Sequence, residues 1–67
     1  MIKVSVNGSI NTIDNSCNVA TLIKELKLEK SRIAIEINNE ILPSNMHSKY
    51  ILKNGDKIEI IQAVGGG

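Results

Sequence analysis

The chain has almost no aromatic residues: of its 67 residues one is a tyrosine, and phenylalanine and tryptophan are absent. Its core must therefore be built from aliphatic side chains. Proteins that bind single-stranded nucleic acid need aromatic side chains on which bases stack. Proteins that bind duplex phosphates need an excess of positive charge, whereas the formal net charge here is +1, from 8 basic and 7 acidic residues. These two deficits argue against nucleic-acid binding.

Cysteines and long apolar runs are also scarce. Cys17 is the only cysteine, so a disulfide within the chain is excluded. The lack of a disulfide framework and of a signal-peptide pattern predicts a reducing, cytoplasmic setting. No apolar run approaches the roughly 20 residues that a membrane span requires, so we expect no membrane association.

Side chains suited to catalysis are isolated from one another. His47 is the only histidine and lies in the polar stretch "SNMHSKY", with no second metal ligand nearby. Cys17 precedes a predicted helix cap, but the sequence places no base beside it, so we expect an inert thiol. A domain of this length buries only about 60% of its unfolded surface, which leaves no room for a deep cleft. We therefore expect a protein that is not an enzyme and binds no metal or cofactor itself.

Two hairpins are predicted from alternating apolar residues. The stretches "IKVSV" and "SINTID" flank Asn7-Gly8, a pair typical of tight hairpin turns. The second of these strands alternates poorly, which indicates an edge strand or a bulge. The other hairpin is "RIAIEINNEILP", in which Asn38-Asn39 makes the turn and Pro43 ends the return strand. A last strand, "KIEIIQAV", follows the Asn54-Gly55 turn.

A short helix is predicted between the two hairpins. Its apolar stripe has the spacing i, i+3, i+4 and i+7, and consists of Val19, Leu22, Ile23 and Leu26. Asn18 stands where an N-cap belongs, and a further single turn is expected around residues 46–50. One helix can cover one face of a mixed four- to five-stranded sheet, so the predicted class is a two-layer α+β domain.

The last strand leads into an unusual end, the glycines Gly65, Gly66 and Gly67. We divide the chain into a domain at 1–64 and a flexible glycine tail at 65–67. Without Cβ atoms the tail could lie extended in a narrow channel of a partner enzyme. An ATP-using partner could then convert the α-carboxylate of Gly67 to an acyl adenylate. A flexible end without function is the alternative.

The last strand also predicts a partner surface. If Ile58 and Ile60 face the helix, then Ile61 and Ala63 lie on the open face of the sheet. An apolar patch left on a small domain often marks a binding surface.

These features together resemble a known family. The order of elements resembles the β-grasp, or ubiquitin-like, fold. The helix stripe "NVATLIKEL", the middle hairpin "IEINNEILP", the "NGD" turn before "KIEIIQAV", the short length and the terminal diglycine resemble the ThiS family, the sulfur carrier proteins of thiamine biosynthesis. The resemblance covers essentially the whole chain.

The resemblance implies a reaction at the chain end. An E1-like adenylating enzyme uses ATP and magnesium to activate Gly67. Sulfur from cysteine, passed as a persulfide through a cysteine desulfurase or sulfurtransferase, converts the carboxylate to a thiocarboxylate, and thiazole synthase takes that sulfur. Gly66 is then the second glycine of the pair, and Gly65 matches a small position upstream. Residues of the docking strand are Ile61, Ala63 and Val64. We expect a monomer when the protein is free.

Two other functions stay open at this point. The small subunit of molybdopterin synthase has the same fold, diglycine end and thiocarboxylate, but is usually longer and richer in aromatics, which favours the thiamine branch. A non-covalent β-grasp binding module, or a ubiquitin-like conjugating tag, would also fit the fold.

Overall fold

Five strands pair into one mixed sheet, and a single helix packs on one of its faces. The computed structural model describes residues 1–62. The strands are β1 (Ile2–Val6), β2 (Ser9–Ile13), β3 (Ile33–Ile37), β4 (Glu40–Leu42) and β5 (Lys57–Gln62), and the helix is α1 (Val19–Glu25). The order of strands in the sheet is β2-β1-β5-β3-β4. The predicted α+β class, with four to five strands and one helix on one face, is confirmed.

The last strand lies at the centre of the sheet. β5 pairs in parallel with β1, with Val6 opposite Ile58, and antiparallel with β3, with Ile37 also opposite Ile58. The two hairpins extend the sheet outward, so β2 and β4 are its edges. The ladder with β3 continues to the C-terminal end of β5, where Gln62 lies opposite Ile33, whereas the ladder with β1 stops at Ile58.

Both predicted hairpin turns are confirmed, and their backbone explains their sequences. Asn7 and Gly8 have φ values of 49° and 87°, and Asn38 and Asn39 have 52° and 72°. Two successive residues with positive φ match the twist of a two-residue hairpin, and Asn and Gly adopt that conformation with least strain. The register of β1 and β2 runs without a break from Ile2 opposite Ile13 to Val6 opposite Ser9, so β2 is an edge strand without a bulge.

The helix begins as predicted but ends earlier. Asn18 caps it, because its side-chain oxygen accepts a hydrogen bond from the backbone N–H of Thr21 at 2.7 Å. Leu26, the last member of the predicted apolar stripe, lies beyond α1, which ends at Glu25, and it is 38% exposed. Lys27 turns the chain with a φ of 62°, and Leu28 then donates back to the carbonyl of Ile23 at 3.0 Å. This is a Schellman ending, in which Leu28 packs against the core in place of Leu26.

The single turn predicted at 46–50 starts earlier, because Pro43 begins it. A 3-10 helix spans Ser44–Met46, and further turns follow, in which the N–H of Tyr50 donates to the carbonyl of Met46 at 2.9 Å. This segment holds the start of α1, since the N–H of Val19 donates to the carbonyl of Tyr50 at 3.1 Å.

The core between α1 and the sheet is aliphatic, as the composition predicts. Its buried members are Val4, Val6, Ile13, Cys17, Val19, Leu22, Ile23, Ile35, Ile37, Leu52, Ile58 and Ile60. Tyr50 packs against this cluster only in part. Within residues 1–62 no helix is long and apolar enough to cross a membrane.

Candidate docking face of the sheet

The two sides of β5 face different surroundings. Ile58 and Ile60 are buried in the core, at 0% and 8% exposure, whereas Ile61 is 50% exposed on the side away from α1. The predicted alternation of this strand is confirmed as far as Ile61, since Gln62 is also exposed. Its last two predicted residues, Ala63 and Val64, lie outside the described residues, as do Gly65, Gly66 and Gly67. The docking role of Ile61, Ala63 and Val64 and the modification of Gly67 therefore stay predictions.

Two asparagines from the hairpin turns hold β5 in place. The side-chain oxygen of Asn7 accepts a hydrogen bond from the backbone N–H of Ile60 at 2.8 Å. The side-chain amide nitrogen of Asn7 lies 3.4 Å from the carbonyl oxygen of Ile60. The side-chain oxygen of Asn38 accepts from the N–H of Lys57 at 2.9 Å. Each asparagine thus shapes its own turn and also fixes the backbone of β5. The segment that precedes the glycines is anchored on both sides.

Asp56 forms a second anchor just before β5, which was not predicted from the sequence. It is 6% exposed and is the one charged residue buried among those described. Its carboxylate accepts from the N–H of Lys53 at 2.9 Å, from the hydroxyl of Tyr50 at 3.2 Å and from the amide of Asn38 at 3.1 Å. Burial, followed by the charge of Asp56 and its hydrogen bond, raises the pKa of Tyr50. The only sequence signal was the turn "NGD", which predicts a turn but not these long-range donors.

The surface of the sheet that faces away from α1 is called the outer face here. Strand parity and register place on it Lys3, Ser5, Ile10, Thr12, Ala34, Glu36, Ile41, Lys57, Glu59 and Ile61. Several of its apolar members are exposed: Ile10 is 70% exposed and Ile41 is 64% exposed. An exposed apolar sheet face on a small domain is typical of a binding surface.

An open groove lies on the outer face where β5 approaches residue 62. Its volume is about 470 Å³, and it is lined by Ser31, Arg32, Ile33, Ala34 and Ile61. Ile61 lies directly opposite Ala34 in the ladder between β3 and β5. The floor of the groove is therefore aliphatic, and Arg32 adds a positive charge.

The two isolated side chains singled out in the sequence do not form a catalytic site. Cys17 is buried and its thiol lies 3.4 Å from the carbonyl oxygen of Asn18. Burial, with smaller effects of the Glu25 and Asp14 carboxylates, raises the pKa of the Cys17 thiol, which is the reverse of nucleophile activation. The Nε2 atom of His47 is buried and has no hydrogen-bond partner among residues 1–62. The part of the chain that the structure describes has no group of three His, Cys, Asp or Glu residues suited to a metal ion.

The arrangement of the strands and the helix defines the structural class of this domain. A sheet of order β2-β1-β5-β3-β4 with one helix across it, and the chain's last strand at its centre, is a β-grasp domain. The sequence model of the ThiS family matches residues 4–67. The chain therefore belongs to the ThiS family.

Similar proteins agree with this assignment. A crystal structure of a thiamine biosynthesis protein, ThiS, from Geobacter metallireducens superposes with a TM-score of 0.82 at 32% identity, over 98% of this chain and 100% of that one. The sulfur carrier protein ThiS of Escherichia coli is 31% identical over 49 residues, which cover 73% of this chain and 74% of that protein. Uncharacterized protein ycf40 of Porphyra purpurea is 40% identical over 67 residues, which cover 98% of this chain and 93% of its own length.

A much longer protein also matches. A thiazole synthase of Paramagnetospirillum magneticum is 33% identical over 66 residues, which are 98% of this chain but only 20% of that protein. The chain thus spans about a fifth of the length of that relative.

Proposed function

We propose that this ThiS-family sulfur carrier of thiamine biosynthesis works through the α-carboxylate of Gly67. An E1-like adenylating enzyme activates that carboxylate with ATP and magnesium. The terminal sulfur of a persulfide displaces AMP to form an acyl disulfide, and a thiol of the partner then reduces this disulfide, which releases the thiocarboxylate and leaves a disulfide on the partner. Thiazole synthase then takes the sulfur while the thiazole ring is formed. The chain is a carrier and co-substrate in this scheme, and the catalysis belongs to its partners.

The observation that carries the proposal is the placement of β5. It is the central strand, held by Asn7 and Asn38, and it carries the half-exposed Ile61 on the outer face. Five residues separate Gln62 from the end of the chain, and an extended segment of that length reaches about 17 Å. A partner that docks on the outer face could therefore draw Gly67 into its own active site without disturbing the core.

The glycines suit this chemistry for a physical reason. A free carboxylate is a poor electrophile, so the carbonyl carbon must first gain a leaving group, which adenylation supplies. Gly65, Gly66 and Gly67 carry no Cβ and can pass through a channel too narrow for other residues. Any larger side chain would also crowd the attack on the activated carbonyl.

Thiazole synthase is the partner best supported by the relatives. One protein with that name contains a segment similar to nearly the whole of this chain, so a ThiS-like segment is part of the same polypeptide in that organism. The adenylating enzyme and the sulfurtransferase or cysteine desulfurase are proposed from the family chemistry. The small subunit of molybdopterin synthase is less favoured, because the named relatives belong to thiamine biosynthesis.

The decisive experiment is an intact-mass measurement. The protein is incubated with ATP, a sulfur donor, and the adenylating enzyme and sulfurtransferase of the same cell. We expect a mass gain equal to one oxygen replaced by sulfur, located at Gly67 by fragmentation. A variant that lacks Gly66 and Gly67 should fold normally and show no gain.

The alternatives give different results in the same experiment. No mass change, with the enzymes shown to be active on another carrier, would leave a non-covalent β-grasp binding module. Such a module would also keep its function after removal of Gly66 and Gly67. A thiocarboxylate that thiazole synthase cannot use, but a molybdopterin partner can, would assign the other branch.

A further inference from the structure

β5 loses one of its two neighbouring strands before it ends. Its parallel ladder with β1 stops at Val6 opposite Ile58, whereas its antiparallel ladder with β3 continues to Ile33 opposite Gln62. Asn7 follows β1 directly, and its φ of 49° turns the chain into the hairpin. The last described residues of β5 therefore have a neighbouring strand on one side only.

The side chain of Asn7 takes the place of the missing strand at one position. In a parallel ladder, the residue that donates its N–H to Ile58 would accept the N–H of Ile60 with its own backbone carbonyl. The N–H of Asn7 does donate to the carbonyl of Ile58 at 2.9 Å. The N–H of Ile60, however, donates to the side-chain oxygen of Asn7 at 2.8 Å, and the side-chain nitrogen lies 3.4 Å from the carbonyl oxygen of Ile60. One carboxamide thus extends the ladder past the end of β1.

Ile60 is the last residue of β5 whose backbone this contact holds. The backbone groups of successive residues in a strand point alternately to its two neighbours. Those of Ile58 and Ile60 point to the β1 side, where Asn7 binds both, so the backbone groups of Ile61 point to β3. The next groups on the β1 side belong to Gln62, and the ladder with β1 does not extend to it.

We infer that Asn7 is a positioning residue that sets where the chain leaves the sheet: its carboxamide holds β5 through Ile60 and thereby fixes the base from which Gly67 reaches a partner. The second half of this statement rests on the proposed function, whereas the first half concerns the free domain alone. Five residues after Gln62 span about 17 Å, but the seven residues after Ile60 would span about 24 Å. A longer segment between the docked sheet and Gly67 lowers the effective concentration of the carboxylate at the partner's active site.

Asn38 makes the same kind of contact at the opposite end of β5. Its φ is also positive, at 52°. Its side-chain oxygen accepts from the N–H of Lys57 at 2.9 Å, and its side-chain nitrogen donates to the carboxylate of Asp56 at 3.1 Å. Only Asn7 acts near the end of β5 that leads to Gly67. A comparison of the two asparagines therefore separates positioning of the chain end from general support of the strand.

The first measurement is amide hydrogen exchange in the free domain, followed by NMR. The variants are Asn7→Gly and Asn38→Gly, because glycine keeps the positive φ of each turn and removes only the side chain. In Asn7→Gly we expect the N–H of Ile61, which points to β3, to exchange about tenfold faster relative to that of the core residue Val4. In Asn38→Gly this ratio should stay as in the wild type. Asn7→Asp keeps an oxygen acceptor for Ile60 and should restore part of the protection.

The second measurement is the rate at which the adenylating enzyme of the same cell activates Gly67, followed as pyrophosphate release. It is made at a temperature at which the unfolding curves show every variant to be folded. We expect kcat to fall about threefold to tenfold for Asn7→Gly, with KM within about twofold, because the rest of the outer face still docks but fewer bound molecules present Gly67 correctly. For Asn38→Gly we expect both constants within about twofold of the wild type.

The other outcomes each overturn a definite part. If the exchange ratio of Ile61 does not change in Asn7→Gly, Asn7 does not hold the end of β5 and the inference fails at its first step. If the ratio changes but kcat does not, or if both glycine variants slow the reaction equally, the positioning role is refuted. If the wild type is not adenylated by an enzyme that activates another carrier, the proposed function fails, whereas the exchange ratio still decides whether Asn7 holds the strand.

Discussion

The inner and outer faces of one sheet use the same amino acid for different purposes. On β5, Ile58 and Ile60 are buried under α1, while Ile61 of the same strand is half exposed. The inner face is determined by the need to bury aliphatic surface, and its buried strand residues are all apolar. The outer face mixes exposed isoleucines with charged residues, of which Lys57 and Glu59 form an ion pair at 3.4 Å. Composition alone cannot separate these roles, but the position of each residue along the strand does.

The largest expected effect comes from breaking the inner face. Ile58→Ala should lower the free energy of unfolding by about 2–5 kcal/mol, because it leaves a cavity beneath a fully buried side chain. Ile61→Ala, three residues along the same strand, should cost less than about 1 kcal/mol. Urea denaturation followed by circular dichroism measures both.

A milder variant at position 58 keeps this comparison measurable if Ile58→Ala does not fold. A domain of this size has little stability to lose, so Ile58→Val, expected to cost about 0.5–1.5 kcal/mol, keeps the transition measurable. Equal losses for the alanine variants at 58 and 61 would mean that the two faces do not differ as described.

The next effect compares two kinds of carboxylate. Asp56 receives three hydrogen bonds, whereas Glu36 faces another glutamate. Asp56→Ala should cost about 1–3 kcal/mol, because it leaves buried donors of the loop and of Asn38 without an acceptor. Thermal unfolding of this variant is compared with that of Asp14→Ala, an exposed acid whose removal should change stability by less than about 0.5 kcal/mol. A neutral Asp56→Ala would refute the anchoring role.

Local patterns in the sequence predicted most of the fold. The turns at Asn7-Gly8 and Asn38-Asn39, the cap Asn18 and the parity of β5 each depend on neighbours in the chain. Leu26 shows the limit of such patterns: it continues the helical stripe, but the reversal at Lys27 ends the helix first and brings Leu28 to the core. Periodicity gives the face of a helix and not its last residue.

Contacts between distant segments could not be predicted. Asn7 holds Ile60 across 53 residues, and Asn38 reaches Asp56 across 18. The Glu36–Glu59 pair likewise depends on the register between β3 and β5, which the intervening loop does not specify. The exposed position of Ile61 followed from strand parity alone. The exposed position of Ala63 was predicted from strand parity and the role of the three glycines from their lack of Cβ atoms, whereas the role of Val64 was inferred from family resemblance alone. All five residues lie outside the described residues.

A third prediction tests the outer face by function. Ile61→Asp should weaken binding to the adenylating enzyme or to thiazole synthase about tenfold or more, because a charge is buried where an apolar contact was. The unfolding midpoint should change little, since Ile61 is half exposed. The dissociation constant is compared with that of Ile10→Asp, at an exposed site of the outer face on the far edge strand β2. Unchanged affinity for Ile61→Asp would contradict the docking role.

The smallest expected effect is the loss of stability at alkaline pH, and it concerns the ionisable side chains of Tyr50 and Cys17. The pKa of Tyr50 is raised, chiefly by burial and then by Asp56, and burial also raises the pKa of Cys17. A raised pKa in the folded state gives stability that is full below the pKa of the unfolded chain and is lost as pH rises through the folded value. Stability should therefore decline above about pH 9–10.

Tyr50→Phe should reduce this alkaline decline, although it also removes the hydrogen bond to Asp56 at every pH. The informative quantity is thus the change in urea midpoint between about pH 8 and about pH 11, not the midpoint itself. Cys17→Ala, measured in the same way, isolates the part that the thiol contributes. If both variants lose as much stability as the wild type over this interval, the ionisation of Tyr50 and Cys17 does not cause the alkaline decline. Another cause, such as the accumulated loss of lysine charge, would then explain it.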